Sequence, residues 1–237
     1  MSTEYGRIGK QVENKFFDNN GIYNLQDIYE LDSENKWSTF GQLEFIETKT
    51  ASNVSTLSFD SIKEREYNVH FITMSDYVPT VDNRHIRIRF KNNGTTDTGN
   101  SYEYAMQRNT ASTGSELKSA GDTKIWQVYS TGSATNETAH GYCYVYYAGD
   151  SNKFTYISTQ YTNINKDSNQ NSNFTMAVYR VANQVNGIEF GTSGDNISRA
   201  TFSLYGQTHM KPNSPLEQRW ESLKADVATA GLFTGLG

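Results

Sequence analysis

The stretch from Val185 to Gly206 constrains this chain more than any other, because it alternates apolar and polar residues on both sides of a glycine-rich turn. Ile188 and Phe190 alternate with polar neighbours, and Phe202 and Leu204 do the same after Gly191, Gly194 and Asp195-Asn196. Period two on both arms, with residues between them that tolerate positive φ, predicts a β-hairpin of two half-buried antiparallel strands. A folded body that closes on such a hairpin is expected to be all-β.

The rest of the chain repeats the pattern. Strands are predicted at Leu43 to Glu47, Val54 to Ile62, Tyr67 to Met74, His85 to Phe90 and Tyr102 to Arg108. Others follow at Lys124 to Tyr129, Gly141 to Tyr147, Phe154 to Tyr161 and Phe174 to Val181. Between them lie turn-rich segments such as Thr50 to Asn53, Asp76 to Asn83, Asn92 to Asn100 and the asparagine-rich loop Asn163 to Asn173. The chain has 16 Tyr and only 3 Pro, with 35% apolar residues, a balance that suits sheets with one wet face. The predicted architecture is an antiparallel β-sandwich, jelly-roll-like, over residues 41–208. In His85 to Phe90, Ile86, Ile88 and Phe90 face inward, which sends His85, Arg87 and Arg89 outward as a basic row.

Two flanking segments read differently. Residues 1–40 form an N-terminal arm with a short helix, in which Tyr23, Leu25, Ile28, Tyr29 and Trp37 make an aromatic plug. Residues 209–237 begin with the capping box Ser214-Pro215-Leu216-Glu217. Leu216, Trp220, Leu223 and Val227 then recur at helical spacing, and Leu232 and Phe233 follow in the tail. A helix with a single apolar stripe needs a partner, so both segments are expected to serve assembly.

Three segments resemble virion structural proteins of tailed phages. Asn186-Gly187-Ile188, the turn from Gly191 to Ile197, and Phe202-Ser203-Leu204-Tyr205-Gly206 resemble the closing segment of those proteins. Glu66-Tyr67-Asn68-Val69-His70-Phe71 is similar to their first strand, and Gly21 to Tyr29 is similar to a short segment of phage fibre proteins. The resemblance implies a tail- or fibre-associated part of a virion, assembled in the host cytoplasm with copies of itself and other virion proteins. A capsid decoration protein is the alternative within the same particle.

Nothing in the residue pattern announces catalysis. The four histidines are scattered, and phosphate loops, nucleophile elbows and zincin motifs do not occur. Strand carboxylates such as Glu44, Glu47, Glu64, Glu66, Glu103 and Glu189 offer pairs for glycoside hydrolysis only as any acidic β-protein would. The loops at Asp150 and Asp167 lack the ordered ligand spacing of a calcium loop. No catalytic residue, metal or cofactor is therefore expected. A net charge of −5 without a basic cluster argues against nucleic acid, and no apolar run is long enough for membrane insertion. The single cysteine, Cys143, falls within a strand and is expected in the core. The one surface suited to a ligand is aromatic: Tyr142, Tyr144 and Tyr146 share a strand face, with Trp126 and Tyr129 expected beside them, a platform for a host-surface glycan or a protein partner.

Overall fold

The computed structural model describes residues 43–208. The N-terminal arm with Tyr23, Leu25, Ile28, Tyr29 and Trp37, and the C-terminal helix and tail with Leu216, Trp220, Leu223, Val227, Leu232 and Phe233, lie outside the described residues. Within them every regular element is a strand: β1 Leu43–Val54, β2 Thr56–Phe59, β3 Tyr67–Pro79, β4 Arg84–Asn92, β5 Thr95–Thr96, β6 Tyr102–Thr110, β7 Gly114–Asp122, β8 Ile125–Thr131, β9 Ala139–Tyr146, β10 Thr155–Ile164, β11 Gln170–Tyr179, β12 Gly187–Thr192 and β13 Ile197–Thr208. All pairings are antiparallel. An eight-stranded sheet runs β1-β13-β3-β9-β10-β11-β6-β7, and a smaller one runs β2-β12-β4, with β5 and β8 sharing the other flank of β4. Inward residues of both sheets form one apolar core, which includes Ile72, Val145 and Phe202 from the large sheet and Phe59, Ile88 and Phe190 from the small one.

The predicted hairpin is not a hairpin. β12 pairs with β2 and β4 in the small sheet, whereas β13 pairs with β1 and β3 in the large one. The glycine-rich segment is an arch from one sheet to the other, and it brings the two apolar faces together instead of side by side. Phe190 and Phe202 meet across the core with ring centroids 4.4 Å apart. Burying each ring completely stabilises the fold by about 1.5–3 kcal/mol. The arch is shaped by Thr192, whose hydroxyl bonds the carbonyl of Asp195 at 2.9 Å, and by Gly194 and Asp195 at φ of 148° and 56°. Asn196 then ties it to Asn53 through its side-chain amide (2.9 Å) and to Thr80 through its backbone carbonyl (2.9 Å).

A second crossing lies where a turn at Thr50 to Asn53 was expected. β1 continues through those residues to Val54, paired with β13, and the chain changes sheet at Ser55 to begin β2. Asn53 takes φ of 52° at that corner, a conformation asparagine tolerates. Similarly, β3 runs on to Pro79, past a bulge at Asp76. The segment Gly114–Asp122 is an additional edge strand whose apolar residues, Leu117 and Ala120, are three apart, and so it gives no apolar alternation.

The asparagine-rich loop contracts to a turn at 165–169, because β10 and β11 extend into it. Asn163, Asn171 and Asn173 face inward for a reason. Among the described residues β8 has a strand partner on one side only, and the backbone on its other side needs hydrogen bonds. Asn173 accepts from the Tyr129 N–H, and the amides of Asn163 and Asn171 donate to the Tyr129 carbonyl, each at 3.3 Å. Asn163 also bonds the Ser130 carbonyl, and Asn173 donates to Asn163 at 2.9 Å.

The basic row faces away from the core, as alternation predicts. Ile86, Ile88 and Phe90 are buried as expected. His85, Arg87 and Arg89 point the other way but are covered by their own partners. Arg87 lies across Gly191, where any Cβ would stand 2.7 Å from its guanidinium, and pairs with Glu189 at 2.7 Å. Arg89 donates to the Thr123 carbonyl at 2.9 Å, and His85 stacks on Tyr129 with centroids 4.0 Å apart.

Candidate functional site

Strand alternation along β9 splits it cleanly. Cys143 and Val145 enter the core, and burial pushes the Cys143 thiol up to about 12, so it is an inert core residue. Tyr142, Tyr144 and Tyr146 therefore occupy the opposite, outward face of the large sheet. Cross-strand register extends this row sideways. Tyr144 is paired with Phe71 on β3, Phe71 with Tyr205 on β13, and Tyr205 with Phe45 on β1. Ring centroids along the row are 4.8 Å apart for Phe71–Tyr144, 6.1 Å for Phe71–Tyr205 and 5.8 Å for Phe45–Tyr205. Tyr144 also stacks with Tyr146 at 6.2 Å.

On the other side of β9 the surface dips. β10 carries short or flexible polar residues outward, Ser158 and Gln160, before Phe174 and Met176 rise again on β11. The result is an open groove of ≈ 760 Å³ between the tyrosines of β9 and Phe174 and Met176 of β11, with Glu116, Leu117 and Lys118 of β7 also on its lining. The Tyr142 hydroxyl donates to Gln160 Oε1 at 2.7 Å, and the hydroxyls of Tyr146 and Ser158 lie 3.2 Å apart. The hydroxyls of Tyr142 and Tyr146 are thus held over β10, on the lining of the groove.

Trp126 and Tyr129 are not part of this surface. They sit on β8 in the small sheet, where Trp126 is paired with Arg87. There they form a separate cluster: His85 packs edge-on against Trp126 at 5.5 Å, Arg108 covers Tyr129 at 4.6 Å and Lys124 covers Trp126 at 4.9 Å. His85 Nδ1 accepts the Ser130 N–H at 2.7 Å, which leaves its proton on Nε2. Burial, then repulsion from Arg108 and Arg84, pushes its pKa down to about 4.

The remaining polar groups of interest close their own loops. His70 is fully buried, bonds the Ile62 carbonyl at 2.8 Å, and has its pKa lowered to about 4 by burial. Asp97 accepts from the Tyr179 hydroxyl at 2.6 Å and the Gly99 N–H at 2.6 Å. Burial acts to raise its pKa, but those hydrogen bonds outweigh it and the carboxyl is held below its usual range. Asp150 accepts from the Asn152 N–H and pairs with Lys153, while Asn165 closes the turn that holds Asp167. Glu137 is buried between the Ala134 N–H and the Ser168 hydroxyl.

No family model, curated protein or solved structure matches this chain.

The aromatic face was half visible in the sequence. The three tyrosines of β9 are read directly from alternation, whereas Phe45, Phe71, Tyr205, Phe174 and Met176 were missed. The signal for Phe71 and Tyr205 was their phase: each stands one position out of step with the core residues Ile72 and Leu204.

Proposed function

We propose that this chain is a non-enzymatic structural component of a tailed-bacteriophage virion. In this reading it belongs to the tail or fibre apparatus, displays a jelly-roll-like β-sandwich, binds copies of itself and other virion proteins, and contributes to host attachment. The observation that carries the assembly part is the apolar edge of the large sheet. Leu43 and Phe45, on edge strand β1, are 47% and 61% exposed. Among the described residues β1 has no strand partner beyond β13, and exposed apolar side chains on such an edge favour contact with another chain. Leu43 is also paired with Gln207, so the chain enters and leaves the described fold at neighbouring positions. A domain entered and left at one corner suits display from its flanking segments, 1–40 and 209–237. Two antiparallel sheets around one core support the jelly-roll reading, and the resemblance of Gly21 to Tyr29 to fibre segments favours tail over capsid decoration.

Light scattering on the full chain, on a chain lacking residues 212–237, and on Phe45→Lys tests this. A defined oligomer that the truncation or the substitution breaks down is the expected result. A monomer in all three forms would overturn the assembly reading.

A lectin-like module is the second reading, and the outward tyrosines of β9 favour it. It predicts a monomer that keeps its ligand after the truncation.

A further inference from the structure

The outward face of the large sheet carries its charges in an uneven way. On β9, β10 and β11 no outward residue is Asp, Glu, Lys or Arg; the positions hold Tyr, Ser, Thr, Gln, Phe, Met, Val and His140. Charges appear at the β6–β7 edge, and each has an internal partner. Glu116 pairs with Lys118 at 3.5 Å, and Glu103 pairs with Arg180 at 2.5 Å. In a chain with 20% charged residues, this face is electrically neutral both in composition and in pairing. A charged ligand would lose hydration there and meet only Glu116 and Lys118, a mutually neutralising pair at the β7 side of the lining.

The shape adds to the argument. β9 and β11 stand two strand spacings apart, about 10 Å, and the three tyrosines span about 13 Å along the strand. The groove is therefore wide enough for a planar, ring-shaped unit and long enough for several in a row. Beyond Met176, 69% exposed, a second depression of ≈ 610 Å³ continues past Tyr156 and shares Ala105 and Lys118 with the first. Flat aromatic faces bind the C–H face of a sugar ring, and the Ser158 hydroxyl and the Gln160 amide hydrogens provide bonds for its hydroxyls.

We propose that this double groove binds an uncharged polysaccharide, with Tyr144 and Tyr146 stacking on sugar rings and Gln160 and Ser158 bonding their hydroxyls. The inference rests on the host-attachment part of the preceding reading. It does not involve the β1 edge that serves assembly.

Calorimetric titration of the full chain with neutral gluco-, manno- and galacto-hexasaccharides, and with an oligogalacturonate as acidic probe, tests the proposal. Saturable binding of at least one neutral probe and none of the acidic one is expected. Tyr144→Ala should weaken that binding at least tenfold, while Leu43→Lys, on the β1 edge and outside the aromatic row, should leave binding per subunit unchanged. No neutral binding at millimolar concentration, equal binding of the acidic probe, or an indifferent Tyr144→Ala would each overturn it. Light scattering on the same samples separates the two readings. An oligomer that ignores all sugars defeats the polysaccharide and keeps assembly, and a monomer that binds one does the reverse. Dissociation of the oligomer by Tyr144→Ala without any sugar binding would reassign the groove to a second copy of the chain.

Discussion

His70 is the residue whose environment has the clearest solution consequence. It is neutral in the fold because burial holds its pKa near 4, well below the ordinary value of about 6.5. Between those values the unfolded chain binds a proton that the native chain does not. Stability is therefore complete above about pH 6.5 and falls as pH drops toward 4, by roughly 3 kcal/mol for a fully buried site. Urea unfolding at pH 7 and pH 4.5 should show that loss, and His70→Gln should flatten it, leaving a residual slope from His85. Gly206 is a second sensitive position. The Tyr67 ring covers it so closely that a Cβ would lie 2.2 Å from the ring. Gly206→Ala should cost about 1–3 kcal/mol through overpacking, read as a lower urea midpoint with an unchanged slope. Side-chain phase was legible at this scale. Ile188, Phe190, Phe202 and Leu204 are all buried as alternation predicts. The burial of His70 was not legible, because its strand neighbours do not reveal what packs over it.

At the scale of elements, β8 depends on side chains for what a neighbouring strand would otherwise give. Asn163 serves two carbonyls and accepts from Asn173, so Asn163→Leu would take the partner from the Ser130 carbonyl and the Asn173 amide, while Asn171 still serves Tyr129. A loss of about 1–3 kcal/mol is expected for each group orphaned. Hydrogen exchange should show it first at Tyr129 and its neighbours, with β1 and β13 unaffected. Sequence patterning found most strands but not their sheets. The arch between β12 and β13 and the crossing at Ser55 have the composition of ordinary turns, since both kinds of connection require the same left-handed residues. Local alternation gives the buried side of each strand, and the choice of neighbour depends on contacts far away in the chain. β7 was missed for a related reason: at an edge, with Leu117 as its one large apolar residue, it has little need of an alternating pattern.

For the whole molecule, one contrast governs the readings offered here. The large sheet presents an apolar edge at β1 and a neutral groove over β9 to β11, two surfaces separated by β13 and β3. Substitutions should divide accordingly, with Leu43→Lys changing mass but not sugar binding and Tyr144→Ala changing sugar binding but not mass. The strand order also bears on how the molecule is made. β13, the last of the described strands to be synthesised, lies between β1 and β3, two of the first described, and pairs with both along most of its length. A nascent chain consequently carries β1 and β3 with a strand-wide gap between them until residue 208 has left the ribosome. A polypeptide stopped before Ile197 would expose two long facing edges, and it would be captured by chaperones or by its own copies before it could fold.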